Sequence, residues 1–176
     1  MPKRPSKTRD VRIAAFIKAK PEKIYQALTS ARELCVFWLE RAETDARNLG
    51  KFRMVWPTKD GEGCDASAVF VDLDPGRKVS WLFDASSRRG GRVPALVSVF
   101  IEDRPRGAQA TILHAGFSAA RSQDRLFCVF CGLWEDCLAK LKAHLEHDRV
   151  FKGEKLTLAE AEKLSRSGGR RPQRRS

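Results

Sequence analysis

From about Ser122 to His147 no proline interrupts the chain, and Phe127, Phe130, Leu133, Trp134, Cys137, Leu138, Leu141 and Leu145 recur at spacings of three and four. That spacing predicts one long helix with a broad apolar face, and Glu135, Asp136, Lys140 and Lys142 fall largely off it. Gly132 is tolerable within such a helix only if tertiary packing holds it. A stripe this wide must be covered by another layer, and the residues that precede the helix supply the pattern for one.

From about residue 50 the rhythm is two, with Phe52, Met54 and Trp56 on one face and Lys51, Arg53 and Val55 on the other. Asp65 to Leu73, Val79 to Phe83, Val93 to Glu102 and Ala110 to Ala115 read as further strands. Asp60-Gly61, Asp74-Pro75-Gly76, Arg89-Gly90-Gly91 and Pro105-Arg106-Gly107 read as the turns between them. Connections this short cannot hold crossover helices, so the strands are expected to form an antiparallel meander. Ahead of it, Val11 to Ala19 reads as a first strand. Pro21 opens a helix with Ile24, Tyr25 and Leu28 as its stripe. Ser30 with Glu33 forms a capping box for a second helix that buries Leu34, Phe37 and Trp38, and Thr157 with Glu160 forms another ahead of a short helix to about Leu164. The expected fold class is α+β, a curved antiparallel sheet against one long helix.

Several segments resemble the helix-grip (SRPBCC, START-like) superfamily, in its activator of heat-shock-protein-90 ATPase branch. Pro21 to Thr29 is similar to the family's opening Pro-Glu helix ending in Ala-Leu-Thr, and Leu34 to Trp38 to its following Leu-to-Trp segment. Asp45 to Phe52 is similar to its Asp-x-Arg-x-Gly-Gly-x-Phe, with Leu49 where the first glycine stands. Val69 to Trp81, Ala110 to Phe117, and Trp134 with Leu138 and Leu141 resemble later family segments. The resemblance covers about Val11 to Glu146. It implies a sheet gripping the long helix around a cavity that in relatives holds lipids, hormones, polyketides or other apolar molecules, and it names a chaperone as an alternative partner. Fold alone does not assign an activity.

A chain of 176 residues suits a single domain. The boundaries expected are a basic arm at 1–9, the helix-grip domain at 10–147, a linker and short helix at 148–164 and a basic tail at 165–176. The net charge of +12 is concentrated at the ends: residues 1–12 set five cations against Asp10, and residues 163–176 hold six cations and no acid. Arms without interleaved aromatics read as solubilising tails rather than as a nucleic-acid or acidic-surface site. No apolar run approaches the ~18 residues of a membrane span, no secretory h-region follows the first residues, and five unevenly spaced cysteines do not make a disulfide framework. A cytoplasmic protein with reduced thiols is expected.

Trp38, Trp56, Trp81 and Trp134 come from four different elements and are the first candidates for lining the cavity, with Phe52, Phe83 and Phe130 beside them. The competing reading is that they fill the core. His114 shares a strand face with Ala110 and Ile112, and the pattern leaves open whether that face is inward. If it is, the imidazole is placed to meet a ligand or move a proton; otherwise it is solvent-facing or a satisfied structural group. Arg47 is the candidate anchor for a carboxylate or phosphate, read against an ion pair with Asp45 two residues along an extended segment. Glu40 and Glu43 read as solvated loop residues, and His144 and His147 as surface residues at the helix end. Cys128-x-x-Cys131 lacks a second ligand pair, so no metal and no cofactor are expected, and no catalytic residue is assigned. A chaperone-associated role, in a chain without room for the further amino-terminal domain of the eukaryotic co-chaperones, and a cyclase- or hydrolase-like activity using His114 and Asp45 are the alternatives to carriage or sensing of an apolar ligand.

Overall fold

A computed structural model describes residues 7–57 and 64–167. The predicted turn at Asp60-Gly61 and most of both basic ends lie outside them. Seven strands, β1 (Thr8–Ile17), β2 (Arg41–Thr44), β3 (Lys51–Trp56), β4 (Cys64–Asp74), β5 (Lys78–Phe83), β6 (Leu96–Arg104) and β7 (Gly107–Ser118), form one antiparallel sheet in the order β1-β7-β6-β5-β4-β3-β2. β2 to β7 are the meander, and β1 closes on β7, with Ile13 opposite Ile112 and Val11 opposite His114. Four helices, α1 (Pro21–Thr29), α2 (Ala31–Phe37), α3 (Asp124–His147) and α4 (Leu158–Ser167), complete the fold. The curved sheet against α3 is the helix-grip arrangement.

Local chemistry sets the elements. Pro21 stands in the first turn of α1, where its missing N–H is not needed. Ser30 closes α1 and opens α2 at once: its N–H donates to the Gln26 carbonyl, and its Oγ accepts from Glu33 N at 3.4 Å. Because that N–H is already used, Glu33 does not complete the capping box and instead meets His144 Nε2 at 3.2 Å. Thr157 and Glu160 form the full reciprocal box, at 2.8 and 3.3 Å.

Two expectations about the segment before β3 are corrected. Arg41 to Thr44, with Glu43 inside it, is a strand rather than a loop, an edge strand recruited by pairing with β3. Asp45 and Arg47 lie in a loop rather than on a strand. That loop tightens at Leu49, whose φ of 65° is left-handed, in the position where the family carries glycine. A non-glycine residue there costs about 1 kcal/mol. Gly50 cannot be replaced as easily, since a Cβ would collide with the Asp45 carbonyl oxygen.

β1 begins at Thr8, inside the expected arm. Arg9 pairs with Asp124 at 2.6 Å and stacks over Phe127 at 4.2 Å. α4 runs through Ser167, three residues into the expected tail.

The inward sheet face carries Val11, Phe52, Met54, Phe70, Val97 and Ile112 against Phe130, Trp134, Leu138 and Leu141 of α3. A second small core of Ala139, Ala143, Leu156 and Ala161 lies between α3 and α4. This second core overturns the surface reading of the far side of α3. Lys140 and Lys142 do fall off the apolar face, yet both are buried. Lys142 Nζ donates to the Phe16 carbonyl and to Glu146, each at 2.7 Å. Glu146 also accepts from Lys18 N at 2.8 Å and Ser165 Oγ at 2.6 Å. His144, stacked 5.7 Å from Phe37, and His147, 3.1 Å from Ser165 Oγ, belong to the same packed end of the helix.

Candidate functional site

β7 brings Ala110, Ile112 and His114 to the inward face, all fully buried. His114 Nε2 lies 2.7 Å from the Pro94 carbonyl, and its Nδ1 accepts from Trp134 Nε1 at 3.1 Å. A carbonyl can only accept, so Nε2 carries the proton and the ring is neutral. Burial pushes its pKa down to about 4, against a smaller opposing effect of the Pro94 carbonyl. Both nitrogens are occupied. His114 is therefore a satisfied structural histidine, with neither a free lone pair nor a free proton for a bound molecule.

Trp134 is the hub of a continuous aromatic array. Its ring centroid lies 5.8 Å from Trp81, 6.0 Å from Trp38 and 5.9 Å from His114. Trp81 meets Phe52 at 5.5 Å, Trp38 meets Trp56 at 5.4 Å, and His114 meets Phe130 at 5.2 Å and Phe83 at 6.0 Å. Eight of the nine residues singled out from sequence thus belong to one cluster. Arg47 does not: it is 78% exposed and paired with Asp45 at 2.6 Å on the surface loop.

The array divides into filled core and lining. Phe52, Trp81, His114 and Trp134 pack ring to ring in the interior and line neither of two openings beside the array. Trp38 and Trp56 line a cleft of 890 Å³, with Pro57, Val129, Gly132 and Leu133 on the same side. The rest of its lining is mostly polar: Asp136 and Lys140 of α3, and Gly153, Glu154 and Lys155 from the connection to α4. A smaller pocket of 160 Å³ adjoins it across Trp56, Val129 and Leu133, and Phe83 and Phe130 line that one. Both of these openings lie along the flank of α3.

Two details of the cleft were not legible in the sequence. Gly132 sits in mid-helix, where glycine costs up to about 1 kcal/mol relative to alanine, and a Cβ there would meet nothing within 4 Å. Packing does not require this glycine; a side chain would simply enter the cleft. The buried indole nitrogens of Trp38 and Trp56, like that of Trp81 in the core, have no hydrogen-bond partner among the described residues, unlike the Trp134 nitrogen held by His114. The helical pattern marks Leu133 and the tryptophans, but nothing in residues 153–155 signals a wall.

The five cysteines are free thiols, and burial pushes those of Cys131 and Cys137 above the ordinary range. Among the described residues, no group of His, Cys, Asp or Glu is arranged to hold a metal ion, and no helix is long and apolar enough to cross a membrane.

Residues 18–146 match the model of the family described as activator of Hsp90 ATPase homolog 1-like protein. The chain belongs to that family. Solved structures share its fold at low identity. The Aha1 dimer from Colwellia psychrerythraea is 22% identical, with 80% of this chain and 98% of that chain covered and a TM-score of 0.60. A protein from Mesorhizobium loti is 18% identical, over 81% of this chain and all of that one (100%), at a TM-score of 0.66. CalU16 from Micromonospora echinospora is 15% identical, covering 91% and 85%, at 0.58. No curated protein matches the chain. The family match stops at residue 146, so Gly153 to Lys155 and α4 lie beyond it.

Proposed function

We propose that this family member binds an apolar small molecule in the cleft along the flank of α3, as a carrier or sensor. Gly132 carries the reading. It is a helix-weakening residue that no neighbour requires, placed where any larger side chain would occupy the cleft. Trp38, Trp56, Val129 and Leu133 supply an apolar wall around it, and a cleft of 890 Å³ falls within the size of ordinary small-molecule sites. The helix-grip resemblance supports the same class of ligand. The chaperone alternative has the family description behind it, and no feature of the cleft adds to it. A catalytic role for His114 would require breaking one of its two hydrogen bonds.

Gly132→Leu is the direct test. It leaves the core untouched, improves helix propensity and fills the cleft. Mass spectrometry of molecules extracted from the purified chain, with thermal shift and tryptophan fluorescence across a panel of apolar compounds, is expected to show ligands for the parent protein. The same measurements are expected to show at least about tenfold weaker binding for the variant, the loss of about 1.4 kcal/mol of contact. Equal binding by the two proteins, or no ligand for either, would sink the proposal.

A further inference from the structure

Away from the cleft, we infer that the end of the domain where α4 stops is a docking surface for a nucleic-acid duplex, held through its phosphates. Lys18 and Lys20, between β1 and α1, and Arg104 and Arg106, at the β6–β7 turn, line one shallow depression of 330 Å³, with Asp103 as the acid in that lining. Two constraints bring the turn and the end of β1 together. Ile17 stands opposite Ala108 across β1 and β7, and Gly107 lies so close to Ile17 that a Cβ would collide with its carbonyl oxygen. Arg104 is paired with Glu102, whereas Lys18, Lys20 and Arg106 have no ion-pair partner among the described residues. Arg106 also has a φ of 69°, a conformation that costs a side chain about 1 kcal/mol and that glycine or asparagine adopts with ease. A strained residue that carries charge into a surface patch is a mark of function rather than of packing.

The fold roots the carboxy-terminal segment at this same patch. Glu146 accepts from Lys18 N at 2.8 Å with one carboxylate oxygen and from Ser165 Oγ at 2.6 Å with the other, so α4 ends beside Lys18. Past Ser167 the chain continues with residues 168–176, which hold Arg170, Arg171, Arg174 and Arg175 and no acid. Taken alone, that segment reads as a solubilising tail. Rooted beside three uncommitted cations of the domain, it extends one field of like charge, and such a field recruits a polyanion.

The lining of the depression selects among polyanions. It holds no aromatic ring to stack on an unpaired base and no large apolar side chain to enter a bilayer. A hollow admits the ridge of a duplex backbone, whereas a flat lipid surface touches only its rim. Arginine, which makes up all four tail cations and two of those in the depression, meets phosphate oxygens in bidentate fashion. Contacts to phosphate alone carry no sequence information, so the binding is independent of base sequence.

Two fluorescein-labelled duplexes of about 20 base pairs and unrelated sequence, titrated with the full chain from about 50 to about 200 mM salt and followed by anisotropy, test this. Equal affinity for the two is expected, with a slope of log K against log salt of about −5, the counterion release of about six phosphate contacts. Lys20→Ser with Arg106→Asn removes two cations while giving α1 a capping side chain and the turn a residue at ease at positive φ, so the fold does not suffer. That protein is expected to bind at least about tenfold more weakly at the lower salt. Arg170→Gln, Arg171→Gln, Arg174→Gln and Arg175→Gln together are expected to weaken binding at least as much. Arg121→Gln with Arg125→Gln removes two cations at the opposite end of α3, beyond the screening length, and is expected to change affinity less than about threefold. No binding to either duplex, or a loss for Lys20→Ser with Arg106→Asn no larger than that for Arg121→Gln with Arg125→Gln, overturns the inference. Capture by phosphatidylserine vesicles in place of the duplexes overturns it as well.

Discussion

Toward the sheet, α3 sets Phe130, Trp134, Leu138 and Leu141 into an aromatic core; on its other side, Ala139, Lys142, Ala143 and Glu146 lie under α4 and beside β1. Both sides are closed to water, by different chemistry. The inner one is almost wholly apolar; Trp134 and His114 are bonded to each other and to the Pro94 carbonyl, and the Trp81 indole nitrogen is buried without a partner among the described residues. The outer one buries an ion pair, Lys142 with Glu146, surrounded by a backbone carbonyl, a backbone N–H and a serine hydroxyl. A buried ion pair adds little net stability over an apolar pair, but its loss by halves is severe. The inner face holds the domain together, whereas the outer face holds a particular segment, α4, in a particular place. The cleft runs between them and borrows a wall from each.

The comparison can be broken at its strongest point first. Trp134→Ala removes the hub of the aromatic array and orphans His114 Nδ1, and denaturant unfolding should show a loss of about 4 kcal/mol. A loss near 1 kcal/mol would mean that the array is not the main support. Lys142→Met leaves the Glu146 carboxylate without its cation, and a loss of about 3 kcal/mol is expected. Hydrogen exchange should then rise in α4 before it rises in the sheet. A change no larger than a surface substitution, with α4 still protected, would erase the distinction between the two faces.

Acid should separate the faces by pH. Burial holds His114 down to about 4 from its ordinary 6.5, so the unfolded chain takes up a proton that the folded one refuses. Stability contributed by the neutral ring is full above 6.5 and falls with pH toward 4, by about 2 kcal/mol on reaching pH 5. Burial pushes the Glu146 carboxyl up, but hydrogen bonds from Lys142, Ser165 and Lys18 N outweigh it, and the carboxyl ends below its ordinary 4.5. Its contribution is present above 4.5 and is lost only as the pH falls further. His114→Phe should flatten the upper window of the stability profile and leave the lower one. A profile unchanged by that substitution would show that His114 is not the group responsible.

Much of this was visible in the chain. Apolar spacing set out α3, and alternation set out β3 to β7. Pro21 and the Thr157–Glu160 box marked helix starts where they occur. Eight of the nine residues picked for the site do gather in one cluster, because each is a ring on a regular element; for His114 the alternation of β7 left the inward side open, and the structure turns it inward. Arg47 stands outside it, in the ion pair with Asp45 that was the other reading of the two residues: Asp45 to Gly50 has no periodicity, and a loop with φ of 65° at Leu49 cannot be extrapolated as a strand. β2 was missed because Arg-Ala-Glu-Thr has no strand signal of its own and exists only as the partner of β3.

The sequence by itself determined which residues are apolar and at what period, and hence the sheet, the long helix and the inward side of α3 and β3, since burial of periodic apolar surface is a local pattern with a global consequence. Tertiary structure alone decided whether His114 is a reactive or a satisfied imidazole, whether Lys142 is solvated, and whether Gly153 to Lys155 borders a cleft. Those outcomes depend on hydrogen-bond partners and walls 20 to 126 residues away along the chain, and no periodicity records a distance of that kind.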